Sequence, residues 1–75
     1  MSITEIANDY INDMASNSEL DRAEFLAEQC EFYSRNADHL SDCFTDTATW
    51  AEGEEFTKYE LEAEIVRLVK DENNR

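Results

Sequence analysis

The chain has 75 residues and carries 19 acidic against 6 basic side chains, which gives a formal net charge of -13 and a sequence pI near 4.1. This length allows one domain, and a single Gly with no Pro excludes collagen-like and turn-rich all-β proteins. A charge this negative repels nucleic acid and anionic lipid, and no apolar run is long enough for a transmembrane helix, so we expect neither direct nucleic-acid binding nor membrane association.

The first predicted helix covers residues 2–15. Apolar side chains recur there at helical spacing, namely Ile3, Ile6, Ala7, Tyr10, Ile11 and Met14. Ser2 and Glu5 have the spacing of a capping box, in which each side chain accepts a hydrogen bond from the backbone N–H of the other residue. Glu5, Asp9 and Asp13 follow one another at intervals of about one turn on the opposite face.

The second predicted helix is long and covers residues 19–44. Ser18 and Asp21 resemble a helix start, and neither Gly nor Pro interrupts the chain that follows. One apolar stripe runs along this helix and contains Leu20, Ala23, Leu26, Cys30, Tyr33, Ala37, Leu40 and Phe44. Phe25 and Phe32 lie outside the stripe, seven residues apart and therefore above one another on the helix surface.

A short extra turn near Trp50 is expected between this helix and the last one, with Asp46 at its start and Gly53 closing it. The last helix is predicted over residues 54–72, and Thr57 with Glu60 repeats the capping-box spacing. It has two apolar faces: Leu61, Ile65 and Leu68 with Val69 beside them, and Phe56, Tyr59, Ala63 and Val66. The predicted fold is therefore all-α, a small antiparallel bundle of three main helices in a single domain over residues 1–75.

Acidic side chains dominate the solvent faces of the first two predicted helices. Nine of them form the candidate partner-binding surface: Glu5, Asp9, Asp13, Asp21, Glu24, Glu28, Glu31, Asp38 and Asp42. Carboxylates four residues apart on a helix are separated by about 6 Å along its axis, a spacing comparable with that of successive phosphates along one DNA strand. Such an array imitates a phosphate backbone, whereas the simpler interpretation is a solvated face that keeps a small protein soluble.

The predicted helices also carry more apolar surface than three packed helices need. A middle helix packed between two others uses two apolar faces. Only one helix of a three-helix chain can be the middle one, whereas the second and the last predicted helices both have apolar side chains outside their main stripe. The surplus side chains are candidates for contact with a partner: Phe25, Phe32, Phe56, Tyr59 and Val66. Because a chain this short buries a small core, we expect oligomerisation, most simply a homodimer, or docking onto a larger partner.

Residues with metal-binding or catalytic chemistry are few. His39 and Cys43 lie one helical turn apart, but a structural zinc site needs two further ligands, and Cys30 is too distant on the predicted helix. One His, no Gly-rich phosphate loop and no nucleophile–base spacing argue against an enzyme. We predict no metal, no cofactor and no catalysis. Two cysteines without an export signal indicate reduced thiols and a cytoplasmic protein.

These features predict a small acidic interaction protein that binds and blocks a basic, nucleic-acid-binding protein. In composition, though not in any motif, the chain is similar to the small DNA-mimicking inhibitors that phages and mobile elements encode. Restriction, CRISPR-type and recombination enzymes, or a repressor, are the corresponding targets. The alternative is a helical homo-oligomeric structural or adaptor module whose acids serve solubility.

Overall fold

The computed structural model describes residues 2–74 and contains five helical segments. In chain order they are α1 (Ile3–Asn17), α2 (Arg22–Arg35), a 3₁₀ segment (Ala37–Cys43), α3 (Thr47–Ala51) and α4 (Lys58–Asn73). The residues described include no β-strand. The predicted all-α class is therefore confirmed, whereas five helical segments that pack against each other take the place of the three main helices of the prediction.

The second helix differs most from its prediction, because α2 is much shorter than the continuous helix expected over residues 19–44, and that prediction is wrong. Asp21, rather than Ser18, is its N-cap, and the Asp21 carboxylate accepts a hydrogen bond from the backbone N–H of Glu24 at 2.9 Å. An acidic cap also matches the positive end of the helix dipole. The start of α2 is therefore fixed three residues later than the sequence pattern indicated.

Asn36 ends α2. Its side-chain amide donates to the backbone carbonyl of Phe32 at 2.8 Å, and its backbone N–H donates to the same oxygen at 3.1 Å. An Asn side chain that binds the backbone competes with the next helical hydrogen bonds, so the chain leaves the α conformation without any Gly or Pro. The 3₁₀ segment that follows is itself kinked at His39, where φ is -136° and ψ is 37°.

The predicted starts of the first and last helices are better supported. The Ser2 hydroxyl accepts from the Glu5 N–H at 3.2 Å and donates to the Glu5 carboxylate at 3.3 Å, so half of the expected capping box is formed. Thr57 and Glu60 form both hydrogen bonds of theirs, at 3.2 and 3.0 Å. Because this box closes at Thr57, α4 begins at Lys58 rather than at residue 54.

The expected turn near Trp50 is the short helix α3. The backbone carbonyl of Asp46 accepts hydrogen bonds from the N–H groups of Thr49 and Trp50 at 3.1 and 3.2 Å, but the Asp46 side chain caps nothing. Gly53 follows with φ at +80°, a left-handed conformation that Gly adopts without steric cost. The prediction of a turn closed by Gly53 is therefore confirmed, and the expected side-chain cap is wrong.

The core is centred on α4, which contacts α1, α2, α3 and the 3₁₀ segment. Four side chains are fully buried: Ile11, Leu61, Ile65 and Val69. Three of these lie on one face of α4, as its first apolar stripe predicted. The second apolar face of the same helix stays partly or largely exposed, and it is part of the surfaces described below.

Four aromatic rings connect the segments on one side of this core. Phe44, directly after the 3₁₀ segment, stacks on Tyr33 of α2 with ring centroids 5.4 Å apart and lies 6.3 Å from the ring of Tyr10 in α1. Trp50 of α3 meets Tyr10 edge-on at 5.5 Å. The bend at Asn36 is what lets Phe44 turn back between two helices, so the broken second helix still buries the end of its predicted stripe.

Candidate interaction surfaces

All nine acids predicted to bind a partner have exposed side chains. Three of them, the α1 acids, lie along α1: Glu5, Asp9 and Asp13. Four, the α2 acids, cap or line α2: Asp21, Glu24, Glu28 and Glu31. Asp38 and Asp42 belong to the 3₁₀ segment, so the continuous acidic face expected along one long helix is divided at the bend.

Within the described part of the chain, most of these acids have no cationic partner. Among residues 2–74, Glu31 is the single member of the nine in an ion pair, with Arg35 one turn along α2, and both side chains are largely exposed. Exposed pairs of this kind contribute little, because water and salt screen them. The α1 acids and most of the α2 acids therefore present unneutralised charge to solvent.

Crowding of the α2 acids is visible at Glu24. Its carboxyl hydrogen-bonds that of Asp21, whose charge also opposes its ionisation, and Glu28 adds a smaller repulsion. These contacts raise the pKa of Glu24 above its usual value. The negative charge of Glu24 is therefore destabilised by Asp21 and Glu28. A cation from another molecule would relieve that repulsion.

Arg22 connects helices instead of pairing with the candidate acids. Arg22 donates through Nε and Nη2 to the Glu72 carboxylate at 3.0 and 2.8 Å, and also to the side-chain carbonyls of Asn8 and Asn12. It thereby ties the start of α2 to both α1 and α4. Its side chain is about one third exposed, and none of these contacts involves any of the nine candidate acids.

A second network ties α1 to α4. Glu64 accepts a hydrogen bond from the Thr4 hydroxyl at 2.6 Å and two from the Arg67 guanidinium at 2.7 and 2.8 Å. The bonds from Arg67, then that from Thr4, lower the pKa of Glu64 to about 2. Arg67 also donates to Asp71 at 3.0 Å.

This network predicts an acid-dependent loss of stability. Because the pKa of Glu64 falls from 4.5 to about 2 on folding, its contribution is complete above pH 4.5 and is lost as the pH falls toward 2. In urea unfolding across that window, the variant Glu64→Gln should show a shallower decline in the free energy of unfolding than the wild type. Glu54→Gln, which removes an exposed acid, is the matched control, and equal slopes for the wild type and Glu64→Gln would contradict the assignment.

The five predicted apolar contact residues divide into four groups. Phe25 is buried in the core with 6% of its surface exposed, so its expected availability for contact is wrong. Phe32 remains 42% exposed and lines a hollow with Glu28 and Glu31. Tyr59 is 61% exposed and shares a groove with Val66.

Phe56, on the same predicted face as Tyr59 and Val66, lines a different hollow, where it faces Ile3 and Gly53. It is half-buried there because α4 starts only after it. The second apolar face predicted for the last helix is therefore divided between two separate hollows, one lined by Phe56 and the other by Tyr59 and Val66.

A groove between the 3₁₀ segment and α4 was missed by the sequence interpretation. It has a volume of about 330 Å³, and its apolar walls are formed by Leu40, Phe44, Ala63 and Val66. Glu62 also lines it. That residue is 5% exposed, and its carboxylate accepts a hydrogen bond from the buried Thr47 hydroxyl at 2.5 Å. A signal was present, since Glu62 precedes Val66 by four residues and Val69 by seven, and so lies among the apolar positions of the last helix.

Burial and nearby acids also affect Tyr10. Its pKa is raised first by burial of the ring and then by the charges of Asp46, Glu62 and Asp13. The hydroxyl therefore stays protonated and neutral at ordinary pH, which suits its position in the aromatic cluster.

Other kinds of site have no counterpart in the described part of the chain. Within residues 2–74, no three His, Cys, Asp or Glu side chains converge as metal ligands would. Both cysteines are free, and the Cys43 thiol lies 3.7 Å from the backbone carbonyl of His39. Each helix of this range is too short or too polar to cross a bilayer.

Comparison of the chain with protein-family models, with curated proteins and with solved structures gives no match. The function is therefore inferred from the exposed surfaces themselves.

Proposed function

We propose that this chain is an acidic interaction protein that occupies the nucleic-acid-binding groove of a basic protein and so blocks it. The observation that carries the proposal is the exposure of all nine candidate acids together with their near lack of ion pairs in residues 2–74. On α1 successive acids are four residues apart and rise by about 6 Å along the helix axis, so the helix presents them in one row. Lys and Arg side chains that bind phosphates would bind such a row in the same way.

Electrostatics gives this arrangement a use beyond solubility. Like charges one turn apart weaken a helix, and a high net charge opposes compaction, so the unpaired acids reduce the stability of the chain. The same field accelerates encounter with a positively charged groove and selects its orientation. Cytoplasmic nucleic-acid-binding proteins, including restriction, CRISPR-type and recombination enzymes, are the proposed class of target.

The second candidate is a homo-oligomeric structural or adaptor module, with the acids serving solubility. The exposed rings of Phe32 and Tyr59 favour it, because large exposed aromatics are common in contact surfaces. Apolar assembly of this kind depends weakly on salt. Light scattering of the purified protein over a range of concentrations measures it directly, and a dimer at micromolar concentration is its expected result.

Capture at two salt concentrations tests the first proposal against the second. The immobilised protein is exposed to a nuclease-treated lysate of the organism that encodes it, at low and at high salt. We expect a basic nucleic-acid-binding protein to be retained at low salt, released at high salt, and displaced by added duplex DNA or RNA. A partner that resists both salt and nucleic acid, or self-association alone, would contradict the mimic.

A further inference from the structure

We propose that the groove between the 3₁₀ segment and α4 binds an arginine side chain of the basic partner, with Glu62 as the group that pairs with its guanidinium. The inference rests on the proposed function for the identity of the partner as a basic protein. This contact differs from those of the α1 acids and the α2 acids, because the groove combines apolar walls with a single buried carboxylate.

Glu62 is an acidic side chain with only 5% of its surface exposed. A carboxylate that is almost entirely removed from water is costly unless a cation or several hydrogen bonds compensate it. In residues 2–74, the Thr47 hydroxyl donates to one oxygen of the Glu62 carboxylate, and no cationic side chain pairs with that carboxylate. No buried side-chain oxygen in this range lacks a hydrogen-bond partner, so a cation would neutralise the charge of Glu62 rather than fill a vacant hydrogen bond. The groove borders the same side chain, so a cation that enters the groove would lie next to this charge.

The walls indicate which cation fits. Leu40, Phe44 and Val66 provide an apolar lining that suits an aliphatic side-chain stem. Tyr59 offers an exposed ring at the rim, and the ammonium group of Lys58 already lies 5.0 Å from its centroid. Arginine combines a stem with a planar, weakly hydrated guanidinium that stacks on rings and pairs with buried carboxylates better than lysine does.

A peptide titration tests the site without the partner. Acetyl-Leu-Arg-Leu-amide is added to the isotopically labelled full-length protein, and backbone amide shifts are followed by NMR. We expect saturable shifts in the millimolar range at the groove, centred on Leu40, Phe44, Tyr59 and Val66. Acetyl-Leu-Gln-Leu-amide should bind roughly tenfold more weakly, because it lacks the charge-assisted hydrogen bond. The lysine peptide should lie between the two.

Variants locate the binding. Glu62→Gln keeps an acceptor for Thr47 but removes the charge, and it should weaken the arginine peptide roughly tenfold. Glu55→Gln makes the same change of net charge at an exposed position and should leave binding unchanged. If Glu62→Gln does not fold, Ala63→Leu decides, because a larger side chain at this exposed helical position fills the groove and should abolish the shifts.

Several results would overturn the inference. They are an absence of saturable shifts, shifts confined to α1 and α2, or equal affinity of the wild type, Glu62→Gln and Ala63→Leu. None of them concerns the acid rows, which the capture experiment and charge reversals test separately. Failure to capture a basic partner, or full affinity of both charge-reversal variants, with an intact peptide site would disprove the proposed function alone.

Discussion

Simultaneous charge reversal of Glu24, Glu28 and Glu31 to lysine should weaken binding to the captured partner by about a hundredfold or more. Single exposed charges contribute only about 0–1 kcal/mol each, so one substitution would be difficult to distinguish from scatter. Three reversals replace attractions by repulsions on one face of α2, and juxtaposed like charges in an interface cost several kcal/mol. Titration calorimetry at low and high salt measures the change, which should shrink as salt rises.

The same experiment on α1 compares the two acid rows. Reversal of Glu5, Asp9 and Asp13 to lysine alters net charge equally but leaves the α2 acids in place. We expect the larger effect on α2, because the half-exposed ring of Phe32 lies among its acids as an apolar anchor. Circular dichroism should show unchanged helix content, since all these acids are exposed.

A third triple variant controls for net charge alone. Glu52, Glu54 and Glu55 are exposed and lie between α3 and α4, outside both rows. Their reversal to lysine should reduce the rate of association modestly and leave the bound complex nearly as stable. Full affinity in both the α1 and the α2 triple variants would mean that the acids serve solubility, and the oligomeric module would then replace the mimic.

The sequence predicted a helix correctly where the residues that determine it all lie within that helix or its cap. The apolar stripe of α1 and the capping box at Thr57 and Glu60 depend on residues three or four positions apart, and both are formed. The end of α2 was missed because the pattern stayed helical through Asn36. There the deciding interaction is a side-chain hydrogen bond to the backbone, which periodicity does not report.

The surfaces were less predictable, because they depend on contacts between segments distant in the chain. Exposure of the acids followed from their positions opposite the apolar stripes. Burial of Phe25 did not, since it depends on the direction in which α2 packs against α4. The pairing of Thr47 with Glu62 required the bend at Asn36 to bring α3 onto α4.

Acidic charge and stability are distributed over different parts of the molecule. The networks around Arg22 and Glu64 join α4 to the other long helices, while the candidate acid rows have few such bonds. Substitutions in the rows should consequently affect binding more than folding. Substitutions on the buried face of α4, the helix that all other segments contact, should affect folding more than binding.

Removal of a core side chain from that face should have the largest effect on stability. Ile65 is fully buried on α4, the helix that α1, α2 and α3 all contact. Substitution Ile65→Ala should lower the free energy of unfolding by about 2–5 kcal/mol, through lost apolar burial and the cavity left behind. Because a domain of this length is stable by only about 4–11 kcal/mol, this loss is a large fraction of its total stability.

Two neighbouring variants make the measurement quantitative even where Ile65→Ala is too unstable to fold. Ile65→Val should cost about 0.5–1.5 kcal/mol at the same site. Val66→Ala changes the next residue, which is half-buried at the groove, and should cost less than Ile65→Ala because its surroundings can relax into solvent. Urea unfolding followed by circular dichroism gives all three values. Equal losses for Ile65→Ala and Val66→Ala would show that this face of α4 is not the centre of the core.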